Sequence, residues 1–232
     1  LVSVAKGLEE KTGLRMSQIL HEVLPAYSLV VLSGPSLAEE LSRKIPTTVT
    51  AVSDTEEVAK KIQETLVTPF FRIYTSTDMI GVELGGVLKN IIAIAAGINN
   101  GLNFGANSKA ALITRGLVEM IRFGKAMGAK EETFLGLSGI GDLIVTCNSE
   151  LSRNWSFGYR VGKGKSVSEA LAESRTVCEG LKAAQVVHKL ATEKGIEMPI
   201  TEAVYGILFE GKNPLKAVRD LMTRDIRSEK MY

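Results

Sequence analysis

Hydrophobic and polar residues follow two different patterns along this chain, with a change near residue 77. Before it, short β-like runs at residues 1–5, 28–32, 47–52 and 71–74 alternate with helical segments. The run at 47–52 is rich in β-branched residues, which favour strands. Such alternation predicts part of an α/β sheet.

Helical periodicity dominates the remainder. Residues 54–66 already show it, with Ser53 or Asp54 as the predicted N-cap. Beyond residue 77, residues 83–98 are apolar on most faces, which predicts a buried helix. The further predicted helices span 110–127, 153–161, 166–173, 180–194, 200–209 and 214–222. The pattern therefore predicts an α/β unit over 1–77 followed by an all-helical unit over 78–232.

Composition excludes several classes of function. The 232 residues are 45% hydrophobic and 23% charged, and the net charge is only +2, which gives no strong field for nucleic acid or an anionic membrane. The longest apolar run, 91–96, is too short to span a bilayer. Cys147 and Cys178 lack metal-ligand spacing and are interpreted as reduced thiols of a cytosolic protein. The two histidines are far apart, so no zinc site is predicted.

The first residue is Leu1, and the chain opens directly on an apolar run. We therefore expect residues upstream of it to be absent. No Gly-x-Gly-x-x-Gly pattern, which lets backbone approach a pyrophosphate, occurs in the sequence. If the protein binds a dinucleotide, that fingerprint is expected upstream.

Lys89 is the first candidate for chemistry. Gly85, Gly86, Ile92 and Ala93 share its helix face, and three of these four are small. A helical glycine costs about 1 kcal/mol relative to alanine, so something is expected to approach this face closely. A partly desolvated ammonium would have a lowered pKa and could act as a general base. A lysine that reaches solvent or pairs with a carboxylate fits the pattern equally well.

Three polar segments suit either ligand binding or helix capping. Ser152 and Arg153 precede a helix, where amides and a guanidinium attract anions, yet the pattern alone favours a capping serine and a solvated arginine. Asp142 could orient a hydroxyl or a lysine, but the pattern favours an N-cap. Ser36, with Glu39 three residues later, fits a capping box, and a loop after a strand also suits ligand contact.

Taken together, short segments across nearly the whole chain resemble bacterial-type glycerol-3-phosphate dehydrogenase. Each is weak alone, but they occur in the family's order. The matching segments are Ala5-Lys6-Gly7, Ser33-Gly34-Pro35-Ser36, GVELGGVLKNIIAIAAGI at 81–98, SKAALITRG at 108–116, GLSGIGDLIVTCNSELSRN at 136–154, Glu179-Gly180 and EMPITEAVY at 197–205. The resemblance implies the remnant of a Rossmann-like dinucleotide-binding domain over 1–77, then an all-α helical substrate domain over 78–232.

The resemblance also implies roles for particular residues. Lys89 would accept the proton of the substrate's secondary hydroxyl while hydride passes from the same carbon to NAD or NADP, and Gly85 and Gly86 would leave room for a ligand. The implied substrate contacts are Lys6, Gly34, Ser36, Lys89, Asp142, Ser152, Arg153 and Asn154. The implied cofactor contacts are Lys6, Ala38, Arg153, Val177 and Glu179, with Asn90 and Thr146 as weaker candidates beside the substrate.

The predicted function is that of an sn-glycerol-3-phosphate dehydrogenase, a cytoplasmic oxidoreductase of glycerophospholipid synthesis. Its partner would be a small phosphorylated substrate, with no nucleic acid and no stable membrane insertion; a homodimer is compatible with the family. Two alternatives stay open. One is a related enzyme that acts on another hydroxy acid or phosphosugar, and the other is a non-enzymatic binding or assembly module. Ser152, Arg153 and Asn154 favour a phosphorylated substrate, whereas the sequence does not choose between NAD and NADP.

Overall fold

A computed structural model describes residues 1–174, 178–225 and 228–229. A mixed sheet with three helices forms its first part, and helices form the rest. The elements of the first part are β1 (Val2–Ser3), α1 (Met16–Val23), β2 (Val30–Ser33), α2 (Ala38–Ser42), β3 (Thr47–Val52), α3 (Glu56–Leu66) and β4 (Phe71–Ser76). Those of the second are α4 (Met79–Gly101), α5 (Ala106–Ala126), α6 (Glu131–Phe134), a π turn (Leu137–Gly141), α7 (Asp142–Asn148), α8 (Arg153–Gly162), α9 (Val167–Ala172), α10 (Glu179–Lys194), α11 (Pro199–Phe209) and α12 (Pro214–Met222).

The sheet has the strand order β1-β2-β3-β4. β1 and β2 are parallel, as are β3 and β4, whereas β2 and β3 are antiparallel. The core of this sheet comprises Val30, Val49, Ala51 and Ile73, and α3 packs against it. Because β1 and β2 are parallel, the segments that leave their carboxyl ends start at the same edge of the sheet. Those segments carry Lys6 and Gly34.

Helix α4 is the centre of the helical part. Asp78 caps it by accepting a hydrogen bond from the Gly81 amide at 3.0 Å. The same carboxylate accepts bonds from the Lys130 amide and the Thr133 hydroxyl, at 3.0 and 2.6 Å, which ties the start of α4 to α6. Helices α5, α7, α8, α10 and α11 surround α4. The helix extends beyond both ends of the predicted range, 83–98, and the Asp78 cap accounts for its earlier start.

Two pairs of glycines allow α4 and α8 to cross with their backbones in contact. Each helix has glycines four residues apart, Gly97 and Gly101 on α4 and Gly158 and Gly162 on α8. A Cβ at Gly97 would overlap the Trp155 carbonyl and lie 2.7 Å from the Tyr159 nitrogen. A Cβ at Gly101 would lie 2.8 Å from the Gly162 Cα. Backbone atoms fill these spaces, so no side chain fits there without a shift of one helix.

Helix α4 is also long and apolar enough to cross a membrane, the one such helix in the described residues. Its most apolar window is 89% buried inside the protein. The expectation based on the uninterrupted run at 91–96 missed this length, because Glu83, Lys89 and Asn90 interrupt the apolar sequence. The apolar surface of α4 is covered by the other helices of the protein.

Most predicted elements are present, but three predicted caps are wrong. Thr55, and neither Ser53 nor Asp54, precedes α3 as its N-cap residue. The predicted capping box of Ser36 and Glu39 is absent because α2 begins one residue later; the Ser36 hydroxyl instead donates to the Gly34 carbonyl at 3.0 Å. The third cap, at Asp142, is replaced by a different set of contacts described below.

Candidate active site

Lys89 lies on the buried side of α4, and its side chain ends in contact with α7. The residue is 7% exposed. Its ammonium donates to Asp142 Oδ1 at 2.5 Å and to Thr146 Oγ1 at 2.9 Å. The two acceptors lie one helical turn apart on α7, so a single face of that helix receives the lysine.

Asp142 binds two lysines rather than capping a helix. It is the first residue of α7, and Gly141 is the N-cap residue. Its Oδ2 accepts from Lys6 Nζ at 2.6 Å, while Oδ1 accepts from Lys89. Two cations thus share one carboxylate that is only 2% exposed. The cluster carries a net positive charge, which suits an anionic ligand.

This arrangement lowers the pKa of Lys89 from 10.5 to about 8. Burial is the largest cause, because desolvation disfavours the ammonium, and the nearby charge of Lys6 acts in the same direction. Asp142 opposes both effects. The sequence left two alternatives, a desolvated base and a lysine paired with a carboxylate, and the structure shows both at once. A lysine with such a pKa exchanges its proton near neutral pH.

The reason predicted for Gly85 and Gly86 is wrong. The space beside these two glycines is occupied by other atoms of the protein and is not open to a ligand. A Cβ at Gly85 would overlap the carbonyl oxygen of Ser138 in the π turn. A Cβ at Gly86 would lie 3.3 Å from Lys6 Cδ and 3.2 Å from Ser33 Oγ. Gly86 therefore allows Lys6 to cross α4 on its way to Asp142.

A second group of polar side chains joins α4, α8 and α10. Ser152 caps α8 by accepting from the Trp155 amide at 3.2 Å, as predicted. Arg153 Nη2 lies 3.7 Å from Glu179 Oε1, and Asn90 Nδ2 donates to Glu179 Oε2 at 3.3 Å. The side chain of Arg153 is 52% exposed, so its guanidinium is accessible to an anion from solvent.

Asn154 is buried beside this group, and its orientation is fixed. Its Oδ1 accepts from the Gly180 amide at 2.9 Å and from Cys178 Sγ at 3.0 Å. A Cβ at Gly180 would lie 2.8 Å from that oxygen and 2.9 Å from the Asn90 carbonyl. Because the oxygen is used internally, the amide NH₂ is the end of Asn154 that can serve a ligand.

The loop after β2 approaches the first lysine cluster. Gly34 has φ +144, and a Cβ there would lie 3.0 Å from Val49 Cα, so both backbone conformation and space require glycine. The Pro35 ring lies 3.7 Å from the position of a Cβ at Gly141, next to Asp142. Ser36 follows on this loop and is exposed, as is Ala38, the first residue of α2.

Family models for both parts of one enzyme match this chain. The model described as NAD-dependent glycerol-3-phosphate dehydrogenase N-terminus matches residues 1–59, and the corresponding C-terminus model matches residues 78–219. The chain belongs to the NAD-dependent glycerol-3-phosphate dehydrogenase family. A Rossmann-like remnant followed by a helical domain is therefore confirmed as the fold class, whereas the division at residue 77 stays a prediction.

Relatives and solved structures of this family agree with the assignment. Glycerol-3-phosphate dehydrogenase [NAD(P)+] from Solidesulfovibrio magneticus is 52% identical over 231 residues, which are 99% of this chain and 70% of the relative. The enzyme of that name from Clostridium perfringens is 51% identical over 100% of this chain and 70% of its own. The crystal structure of glycerol-3-phosphate dehydrogenase from Coxiella burnetii has a TM-score of 0.92 and 43% identity, and the match covers 96% of this chain and 68% of that one. The predicted family and its NAD(P) cofactor class are confirmed.

The family residues predicted from sequence fall into three sets in the structure. Lys6, Lys89, Asp142 and Thr146 are in direct contact. Asn90, Arg153, Asn154 and Glu179 form the second group, which Ser152 joins only as the cap of α8. Gly34 and Ser36 lie on the loop after β2, and Ala38 begins α2. Within the part of the chain that the structure describes, no hydrogen bond joins these three residues to the other two sets. Val177 lies outside the described residues.

The sequence missed one buried cluster near the site, formed by Arg15, Ser17 and Glu83. Glu83 stands in a segment that was interpreted only as an apolar helix. Its partners are more than sixty residues earlier in the chain, so no local pattern connects them. A charged residue at a buried helical position was the only available signal, because such charges are normally paired.

Proposed function

We propose that this chain carries the substrate chemistry of an sn-glycerol-3-phosphate dehydrogenase, which interconverts glycerol 3-phosphate and dihydroxyacetone phosphate. The observation that carries the proposal is the buried Lys89 ammonium on a carboxylate shared with Lys6. It combines a base of lowered pKa with a second cation for an anionic substrate. The base serves the proton transfer, and the cation serves binding of a phosphorylated substrate.

Lys89 is the proposed proton-transfer group. In the oxidation direction its neutral amine accepts the proton of the secondary hydroxyl, and the two electrons of the C–H bond leave the same carbon as hydride. A ketone and an ammonium remain, and Asp142 stabilises that ammonium. In the reverse direction Lys89 returns the proton to the oxygen as the carbon gains hydride.

Arg153 and Asn154 are the proposed phosphate contacts. The guanidinium lies at the first turn of α8, where backbone amides and the helix dipole also attract an anion. Asn154 offers its NH₂ group, since its oxygen is already bound. These donors favour a phosphorylated substrate over the hydroxy acid or assembly alternatives. Gly34 and Ser36 are proposed as further contacts through the loop after β2.

The residues proposed to contact the cofactor fit an anionic dinucleotide. Lys6 and Arg153 are cations with 21% and 52% side-chain exposure. Ala38, Glu179 and Val177 complete the proposed set. When bound, NAD or NADP accepts or supplies the hydride. Asp142 would hold the Lys6 ammonium in place for that contact.

We further propose that the protein acts in the cytoplasm and supplies glycerol phosphate for phospholipid synthesis, with a homodimer as its proposed assembly. Cys147 and Cys178 are free and buried, which suits a reducing compartment.

The test of the central proposal uses the complete protein, including any residues encoded upstream of Leu1. Oxidation of NADH and NADPH is followed with dihydroxyacetone phosphate and with unphosphorylated dihydroxyacetone. Absence of turnover with the phosphorylated ketone would refute the proposed function.

The two directions of the reaction should depend on pH in opposite ways. Because the pKa of Lys89 is about 8, the neutral amine needed for oxidation accumulates as pH rises through that value. The ammonium needed for reduction is lost over the same interval. We expect kcat/KM for glycerol 3-phosphate to rise about tenfold per unit below pH 8 and then level off. Initial rates from pH 6 to 10 in both directions test this, and parallel profiles would contradict it.

Replacing Arg153 with alanine should weaken phosphate binding more than proton transfer. A charge-assisted bond to phosphate contributes about 1.5–3 kcal/mol, so KM for dihydroxyacetone phosphate should rise roughly 10- to 100-fold. The matched control is Arg160→Ala on the same helix, where the side chain pairs with Glu173 instead. Steady-state kinetics compare the two variants. Equal effects, or an unchanged KM in Arg153→Ala, would remove Arg153 from the phosphate site.

A further inference from the structure

Arg15, Ser17 and Glu83 form a buried cluster that takes no part in the proposed chemistry. Glu83 lies on α4 with its side chain 4% exposed. One carboxylate oxygen accepts from the Ser17 amide at 2.8 Å, and the other accepts from the Ser17 hydroxyl and the Arg15 guanidinium, both at 2.5 Å. A buried carboxylate with three donors holds those donors firmly, because releasing any of them leaves a charge poorly satisfied.

The donors belong to the segment that begins with Lys6. Leu8 and Arg15 form an antiparallel bridge, which closes the loop between them. Inside the loop, the Glu9 carboxylate accepts from the Thr12 amide at 2.6 Å and the Thr12 hydroxyl at 2.8 Å. The loop is therefore held by its own hydrogen bonds, and Lys6 stands only two residues before its bridge.

Both ends of this segment rest on one face of α4. Glu83 and Gly86 are three residues apart and share that face. Glu83 binds Arg15, and the aliphatic part of Lys6 passes over Gly86, with Cδ 3.3 Å from the position of a Cβ. From there Lys6 reaches Asp142 at 2.6 Å. The anchor and the lysine therefore lie one helical turn apart.

We propose that Glu83 is a positioning residue for the reaction: by binding Arg15 and Ser17, it fixes where the Lys6 ammonium lies relative to Lys89. The proposal rests on the proposed function, because it takes Lys89 as the proton-transfer group. Glu83 itself touches neither substrate nor cofactor. Its effect passes through the bridged loop to Lys6.

The consequence concerns the charge around Lys89. The charged and titratable groups that face its ammonium are Asp142 and Cys147 from α7 and Lys6 from the segment after β1. Burial raises the pKa of the Cys147 thiol to about 12, so it stays neutral. Asp142 raises the pKa of Lys89, and Lys6 lowers it. When Lys6 loses its fixed position, the pKa of Lys89 should therefore rise.

The test compares Glu83→Gln with Glu119→Gln in the complete protein. Glu119 is the matched control, because it is also a buried carboxylate on a long helix that accepts bonds from a distant segment. Its partners are the amides of Ile200 and Thr201 at 2.5 and 3.1 Å, at the start of α11. Burial raises the pKa of Glu119 to about 7, so the comparison is made above that pH. There both variants lose a buried charge, but only Glu83 is joined to the Lys6 segment.

Competitive labelling with acetic anhydride, read by mass spectrometry of the Lys89 peptide, measures the pKa of that amine without cofactor or turnover. We expect Glu83→Gln to raise it by about one pH unit and Glu119→Gln to leave it unchanged. Unchanged values in both folded variants, or equal shifts in both, would overturn the proposal. If Glu83→Gln does not fold, Ser17→Ala removes one donor of the same cluster and makes the same comparison.

Kinetics supply a second measurement. Misplacement of Lys6 should lower kcat/KM for glycerol 3-phosphate up to about 100-fold and move the acid limb of the pH profile upward; Glu83→Asp should restore part of the loss. A general loss of stability would lower activity in both variants without moving that limb. If the unsubstituted protein shows no turnover, the proposed function fails, while the labelling experiment still decides whether Glu83 controls Lys6.

Discussion

Replacing Lys89 with alanine should lower kcat in both directions by about 100- to 10,000-fold, the contribution usual for a positioned general acid or base. The fold should survive, because Asp142 keeps Lys6 as a partner at 2.6 Å. Loss of activity would therefore report on chemistry and not on unfolding. NADH oxidation with dihydroxyacetone phosphate measures the effect, and circular dichroism checks the fold.

Two further variants make this result specific. Lys189→Ala removes an exposed lysine from α10 and should leave kcat unchanged. Lys89→Arg keeps a cation beside Asp142, but a guanidinium does not release its proton near neutral pH, so its activity should stay close to that of Lys89→Ala. Substantial turnover in Lys89→Arg would show that the charge matters and proton transfer does not. Undiminished turnover in Lys89→Ala would exclude the residue from catalysis.

Gly158→Ala should lower the free energy of unfolding by about 1–3 kcal/mol, the usual effect of overpacking a core. Helix propensity alone predicts the opposite, since alanine is favoured over glycine by about 1 kcal/mol. The clash decides the sign: a Cβ at 158 would overlap the Ile94 carbonyl oxygen and lie 2.9 Å from its carbon. Backbone atoms cannot rotate away, so α8 must move off α4.

Gly206→Ala is the matched control for that prediction. It is also a buried helical glycine, but its nearest neighbour is the Cδ atom of the flexible Lys212 side chain at 3.3 Å. Its stability should be unchanged or higher by up to about 1 kcal/mol. Urea denaturation followed by circular dichroism compares the variants with the parent protein. Equal stability of Gly158→Ala and the parent would show that the helices tolerate a wider separation.

Local pattern was enough to predict most helices and the candidate lysine, because both depend on residues close in sequence. Periodicity placed Lys89 on a buried helix, and desolvation follows from that placement. Its partner was out of reach of this reasoning, since Asp142 lies 53 residues later. An aspartate before a helical turn looks the same locally whether it caps the turn or binds a lysine from another helix.

The glycines show the same limit. The sequence indicated that something approaches Gly85 and Gly86 closely, but the approaching atoms belong to Ser138 and Lys6. Glycines inside a helix indicate that some atom packs closely against it, whereas which atom does so depends on the tertiary structure. Local pattern offered Arg153 as an anion contact without favouring it over a solvated arginine, and the resemblance added Asn154. Their contacts with Glu179 and Gly180 required the fold.

Helix α4 has a further consequence for how this protein is made. It is apolar on nearly every side, and the helices that cover it, α5, α7, α8, α10 and α11, all follow it in the chain. At roughly 5–20 residues per second, the roughly 108 residues between the ends of α4 and α11 take about 5–22 s to synthesise. For those seconds the nascent chain displays a segment with the length and apolar composition of a membrane-spanning helix. The helix that carries the proposed proton-transfer lysine thus stays without its full cover until α11 has been made.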